Sequence, residues 1–154
     1  METNATSKQQ ADKLIFLGIF LFFLGLVIGL LIPILAKPRI GLSSHLEGVM
    51  NGMFLVILGL IWNRLSLSHF WLKTTFRLAV LGTYFNFLTI GLAAATGAGK
   101  LLPIAGGTEQ GPLIESIITL GLVAVTLSML FVCMLVMKGL VNQSKQSDLS
   151  ENNS

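Results

Sequence analysis

The chain has 154 residues, a formal net charge of +3, 53% hydrophobic residues and only 11% charged ones, where a soluble domain carries roughly 25%. That balance excludes an ordinary soluble domain, and the absence of a basic run excludes a nucleic-acid binder. The single cysteine, Cys133, rules out a disulfide within the chain, and the length suits one domain.

In chain order, residues 1–12 are polar and predict a disordered tail. Leu14 to Ala36 then gives 23 uncharged residues between Lys13 and Lys37. This run is too long for the apolar part of a signal peptide, and Ile32-Pro33-Ile34-Leu35 is a poor cleavage site, so a permanent helix is expected. Leu46 to Trp62 carries only Glu47, Leu78 to Gly99 carries no charge, and Pro112 to Met137 carries only Glu115. A spanning helix needs roughly 20 mainly apolar residues; the second run reaches that length if it starts at Ser43. The expected architecture is an all-α, integral membrane four-helix bundle over residues 13–141, with helices at about 14–36, 43–62, 74–97 and 112–137 and a second disordered tail at 142–154.

Lys8, Lys13, Arg64, Lys73, Arg77, Lys138 and Lys145 fall on the side of both termini, against Lys37, Arg39 and Lys100 on the other. Seven against three predicts that both termini are cytoplasmic. Gly25 and Gly29 on the first helix, and Gly48 and Gly52 on the second, have the four-residue spacing that lets helix backbones approach closely in lipid. Phe16, Phe20, Phe22 and Phe23 surround much of the first helix. They meet either lipid or a second subunit, the latter implying a homo-oligomer.

Polar side chains within a bilayer are costly and mark function by default. His45, Glu47 and Asn51 stand at the start of the second run, Thr83, Tyr84 and Asn86 near the middle of the third, and Glu115 at the start of the fourth. The topology puts them all at the membrane centre or in its outer half, which predicts one polar pocket among helices 2, 3 and 4. Each has a plainer reading. Ser44-His45-Leu46-Glu47 matches a capping box, with Ser44 as the cap. Asn51, four residues beyond Glu47 and on the same face, could be a packing hydrogen bond. Glu115, three residues after Pro112, suits the helix dipole. His45 could be structural, and His69 belongs to a basic interfacial loop. Tyr84 and Asn86 are about 200° apart around their helix; Asn86 is expected inward and Tyr84 toward a neighbouring helix or subunit. "GAGKLLPIAGGTEQGP" lacks the phosphate-loop spacing and reads as a compact outer loop, a candidate lid. Cys133 is expected on the inner half of the fourth helix, away from the polar cluster.

"LLIPILAKPRIGLSSHLEGVMNGMFLVILGLIW" resembles the hydroxylaminobenzene mutases, small bacterial integral membrane enzymes. "LGTYFNF", "GAGKLLPIAGG" and "GPLIES" extend the likeness over about residues 14–138. The piece "HLEGVMNGM" is also similar, more distantly, to the styrene oxide isomerases. The resemblance implies a bacterial inner-membrane isomerase converting hydroxylaminobenzene to 2-aminophenol. It further implies a ferric b-type haem held by His45 between the subunits of a trimer. Asn51 would orient the substrate, and Asn86 matches an asparagine of the isomerases' third helix. Their aspartate and tyrosine on that helix are replaced here by Gly82 and Ile90, which favours the mutase branch over epoxide isomerisation. Glu47 and Tyr84 are taken as the remaining catalytic candidates from position only.

In this reading haem acts as a Lewis acid on the departing hydroxyl oxygen. Asn51 and Asn86 hold the N–H or O–H, and Glu47 carries protons. A reaction without net redox change needs no nicotinamide or flavin, and the absence of any dinucleotide motif agrees. The alternatives are a styrene-oxide-type epoxide isomerase, a non-catalytic haem protein, and a four-helix membrane exporter using Glu47 or Glu115.

Overall fold

The computed structural model describes residues 2–151. Four long helices, α1 (Glu2–Leu31), α2 (Pro38–Ile61), α3 (His69–Thr96) and α4 (Pro112–Glu151), make up nearly all of it. All four are long and apolar enough to cross a membrane.

Proline and glycine punctuate the chain. Pro33 ends α1 in a short 3-10 turn, Ile32–Ile34, because its ring cannot continue the helical ladder. Lys37 is extended at φ −130° and ψ 91°, as a residue before proline must be, and Pro38 opens α2. Gly97, at φ +78°, closes α3 in the left-handed conformation. Pro112 then opens α4.

The helices outrun the apolar stretches that predict them, which corrects the expected extents. α2 begins at Pro38 rather than at 43 and α3 at His69 rather than 74; helix also covers 2–12 and 142–151, both read from sequence as disordered tails. Residue 1 and residues 152–154 of those tails lie outside the described residues. Hydropathy marks where a helix leaves the hydrocarbon. The helix itself continues until a breaker, and residues 2–13 contain no proline or glycine.

α1 and α2 pack antiparallel with their glycines interleaved. A methyl group at Gly48 would sit 2.5 Å from Gly25 Cα, and one at Gly52 would sit 2.7 Å from the Gly18 carbonyl oxygen. The four-residue spacing read from sequence thus forms one continuous backbone contact. The core has two parts. Leu14, Leu21, Leu55, Leu58, Trp62, Ala79, Phe87 and Val132 fill one. Ile40, Ile90, Ala93, Ala94, Ala98 and Ile118 fill the other, beneath the α3–α4 loop. Phe16, Phe20 and Phe23 face outward, with Leu81, Phe85 and Leu88 of α3 and Leu120 and Leu127 of α4, as in a bundle surrounded by hydrocarbon.

Candidate functional site

Glu47 lies nine residues past Pro38, ~14 Å along α2 at ~1.5 Å per residue. Asn86 lies ten residues before Thr96, ~15 Å from the same end of the bundle. Both therefore stand near the middle of a hydrocarbon core ~30 Å thick, rather than at its mouth. Asn51 Nδ2 donates to Glu47 Oε2 at 3.0 Å from the next turn of α2. Asn86 Nδ2 donates to the same oxygen at 2.5 Å from α3. The expected inward asparagine and its carboxylate partner are thus in place.

This arrangement corrects the capping-box reading. Ser44 does not cap α2, which starts two turns earlier; its buried hydroxyl donates to the Phe87 carbonyl of α3. Glu47 likewise turns its carboxylate to the asparagines rather than back to a helix start. Both amides converge on Oε2, and no buried side-chain oxygen among the described residues lacks a partner. Oε1 is therefore accessible to whatever occupies the space beside it.

That space is a groove of about 440 Å³ between α2, α3 and α4, within the range of small-molecule sites, ~300–1,000 Å³. Glu47, Asn51 and Asn86 form its polar wall; Leu122, Val125, Thr126, Met129, Leu130 and Cys133 of α4 form the other. The expectation that Cys133 stands away from the polar cluster is corrected here, since it lines the same groove. Sequence reasoning missed the whole α4 wall. Residues 122, 126, 129 and 133 recur at helical spacing, but in a helix apolar all round that stripe is one of several.

His45 and Tyr84 point elsewhere. The half-buried imidazole of His45 faces α1, with Nδ1 2.8 Å from the Gly25 carbonyl oxygen. A carbonyl only accepts, so Nδ1 carries a proton here, and Nε2 is the ring nitrogen not engaged by this contact. Metal-ligating histidines are commonly oriented in this way, by a backbone acceptor on the far ring nitrogen. Gly29 makes the pose possible, since a methyl group there would lie 2.7 Å from Nδ1. Tyr84 donates its hydroxyl to the Leu17 carbonyl of α1 at 2.9 Å, toward a neighbouring helix as expected, and does not line the groove. Gly82 packs against Met129 and Ile90 lies in the apolar core, so neither position offers a polar group.

Glu115 proves to be a loop organiser. It is buried, and its carboxylate accepts the backbone N–H groups of Gly99, Lys100 and Gln110 at 3.0–3.1 Å. The loop is compact, with Gly107 pressed against Gly99 and Lys100 paired with Glu109 on its surface. No residue of this loop lines the groove.

Fold and site together define a polytopic helical membrane protein with a carboxylate–diamide cluster set into a groove at mid-membrane depth. The styrene oxide isomerase family model matches residues 10–141, and the chain belongs to that family. It is 49% identical over 142 residues to hydroxylaminobenzene mutase HabB of Ectopseudomonas oleovorans, covering 91% of this chain and 87% of that protein. It is also 49% identical over 104 residues to hydroxylaminobenzene mutase HabA of the same organism, covering 66% and 77%. No solved structure matches it with significance.

Proposed function

We propose that this protein is a membrane isomerase of the mutase type that converts hydroxylaminobenzene to 2-aminophenol. The observation that carries the reading is the Glu47–Asn51–Asn86 cluster at the head of an otherwise apolar groove. The 49% identity to two hydroxylaminobenzene mutases supports it. The two compounds are isomers. The N–O bond breaks, a C–O bond forms at the ortho carbon, and the proton leaving that carbon is returned to the product, with no net oxidation.

The apolar α4 wall takes the aromatic ring from the bilayer and limits stray water. Glu47 Oε1 accepts the hydroxylamine N–H or O–H, and the asparagines hold the carboxylate so that the oxygen stays beside the ortho carbon. Glu47 then receives the proton released as the ring regains aromaticity. His45, whose Nε2 is not engaged by the Gly25 contact, is the residue that would hold a ferric haem b. When bound, that group supplies a Lewis acid for the hydroxyl oxygen. His45 and Glu47 occupy opposite sides of α2, so one centre uses both only where two copies meet. A homotrimer would provide that arrangement. The protein is placed in a bacterial inner membrane, and the excess of Lys and Arg on the side of the termini supports both termini being cytoplasmic.

The exporter alternative gains one point and loses another. Glu47 lies deep enough to serve as a membrane carboxylate, but Glu115 is bound into the loop and the family is one of isomerases. Anaerobic incubation of the purified protein with hydroxylaminobenzene, without added reductant, tests the proposal. Production of 2-aminophenol is expected. Turnover of styrene oxide in place of hydroxylaminobenzene would assign the epoxide reaction, and turnover of neither would defeat the enzymatic reading. A reporter at Ser154 that is active only outside the cytoplasm would overturn the orientation.

A further inference from the structure

Met129 occupies an unusual position among the groove residues. On one side it lines the groove opposite Glu47, Asn51 and Asn86. On the other it rests on Gly82 of α3, where a methyl group would stand 3.0 Å from its Sδ and 3.5 Å from its Cγ. Gly82 does not line the groove. Its missing side chain instead forms a recess that lets the half-buried thioether lie back against α3. A methyl group at 82 would close that recess, so the thioether would have to give by a few tenths of an ångström.

The chemistry of the two walls sets the orientation of an aromatic ligand. Its polar nitrogen and oxygen belong with the carboxylate and amides of α2 and α3, and its ring with the apolar wall of α4. The ring edge remote from the nitrogen, the para position, is therefore the part that meets α4. Methionine is suited to such a wall because it is flexible and its sulfur makes favourable contacts with aromatic edges.

We propose that the Gly82–Met129 pair is the specificity gauge of the groove, setting how large a para substituent an aromatic hydroxylamine can carry. The proposal rests on the mutase reading for its substrate, but the geometry applies to any small arene with a polar head. Met129→Ala removes the wall and enlarges the groove; Gly82→Ala fills the recess and narrows it. The two substitutions act in opposite directions on one dimension, and Met129→Ala placed in the Gly82→Ala background cancels the narrowing.

The test compares kcat/KM for hydroxylaminobenzene and its 4-ethyl derivative in detergent-solubilised protein. A pocket wall displaced by one or two carbon groups changes such ratios about 10- to 200-fold. Met129→Ala should raise the ratio of the 4-ethyl to the parent substrate at least about tenfold, mainly through KM, and Gly82→Ala, which moves the wall less, should lower it. The conservative Met129→Leu keeps most of the wall's volume, so the ratio should stay closer to wild type than in Met129→Ala whatever happens to the absolute rate, which separates wall shape from general damage to the fold. A ratio unmoved by both alanine substitutions would overturn the proposal.

Cys133 supplies a second readout that needs no turnover, because it is the only cysteine, is exposed and lines the same groove. Aniline and 4-ethylaniline should slow its modification by N-ethylmaleimide, and the ratio of their half-protecting concentrations should move with the two variants in the same opposite directions. If wild-type protein turns over neither substrate, the mutase reading fails. The cysteine-protection ratio then decides the gauge by itself, and equal protection in all variants sinks it.

Discussion

Asn86 on α3 donates to Glu47 on α2 across 2.5 Å, and the two residues are 39 positions apart in the chain. Asn51 donates to the same oxygen from one turn along α2. In hydrocarbon no water is available to replace these donors. The carboxylate is therefore oriented by two amides from two helices, with its other oxygen toward the groove. Most of what the site can do follows from that contact.

Glu47→Gln should assemble normally, since a glutamine carbonyl can still accept from both asparagines. It cannot take up a proton at the same place. Steady-state turnover should fall about 100-fold or more, the lower range of general acid–base effects. Turnover within threefold of wild type would leave Glu47 a packing residue.

Tyr84→Phe makes the contrasting case. Its hydroxyl bonds Leu17 of α1, outside the groove, so its loss should cost about 0.5–1.5 kcal/mol of stability and little turnover. A thermal melt in detergent together with a rate assay separates the two effects, and a large drop in kcat with an unchanged melt would return Tyr84 to the chemistry.

If His45 holds a ferric haem as proposed, the wild-type protein should show a Soret band, His45→Ala should lose it and the activity together, and Asn51→Ala should keep it and lose most turnover. Gly29→Ala offers a finer check. Its methyl group would fall 2.7 Å from His45 Nδ1, displacing the ring from the Gly25 carbonyl. The Soret band should weaken or shift although no ligand atom has been removed. An unaltered spectrum in both His45→Ala and Gly29→Ala would rule out His45 as the haem ligand.

Gly48→Ala places a methyl group 2.5 Å from Gly25 Cα. This contact is backbone, which cannot swing aside, so α1 and α2 must separate. Overpacking of this kind costs about 1–3 kcal/mol, to be read as a lowered melting temperature. Gly111→Ala, with nothing within 4 Å of the added carbon, serves as the control.

Glu115→Ala should loosen the outer loop by stranding the three backbone N–H groups that the carboxylate now accepts. Faster proteolytic nicking between residues 97 and 111 is the expected result, with groove residues unaffected because the loop does not line the groove. Cleavage at the wild-type rate would show that the loop holds without it.

Membrane class, four spanning helices and the close-packing glycines of α1 and α2 are all legible in the chain, because hydropathy and four-residue spacing are local properties of consecutive residues. The polar candidates His45, Glu47, Asn51, Tyr84 and Asn86 are legible for the same reason, since a polar side chain in an apolar run stands out wherever it points. Where each one points is not local. It depends on the rotation of every helix about its axis and on which neighbour it meets. The same "SSHLEGVMNG" that reads as a capping box becomes mid-helix once Pro38 starts α2 five residues early. Ser44 then bonds α3, His45 turns to α1, and Glu47 turns to the groove. Cys133 and Met129 carry no signal at all in a helix that is apolar on every face. Only the packing of α4 beside α2 and α3 singles out their stripe, because what separates the groove wall from the rest of the lipid-facing surface is its place across from Glu47, Asn51 and Asn86, which no residue type on α4 records.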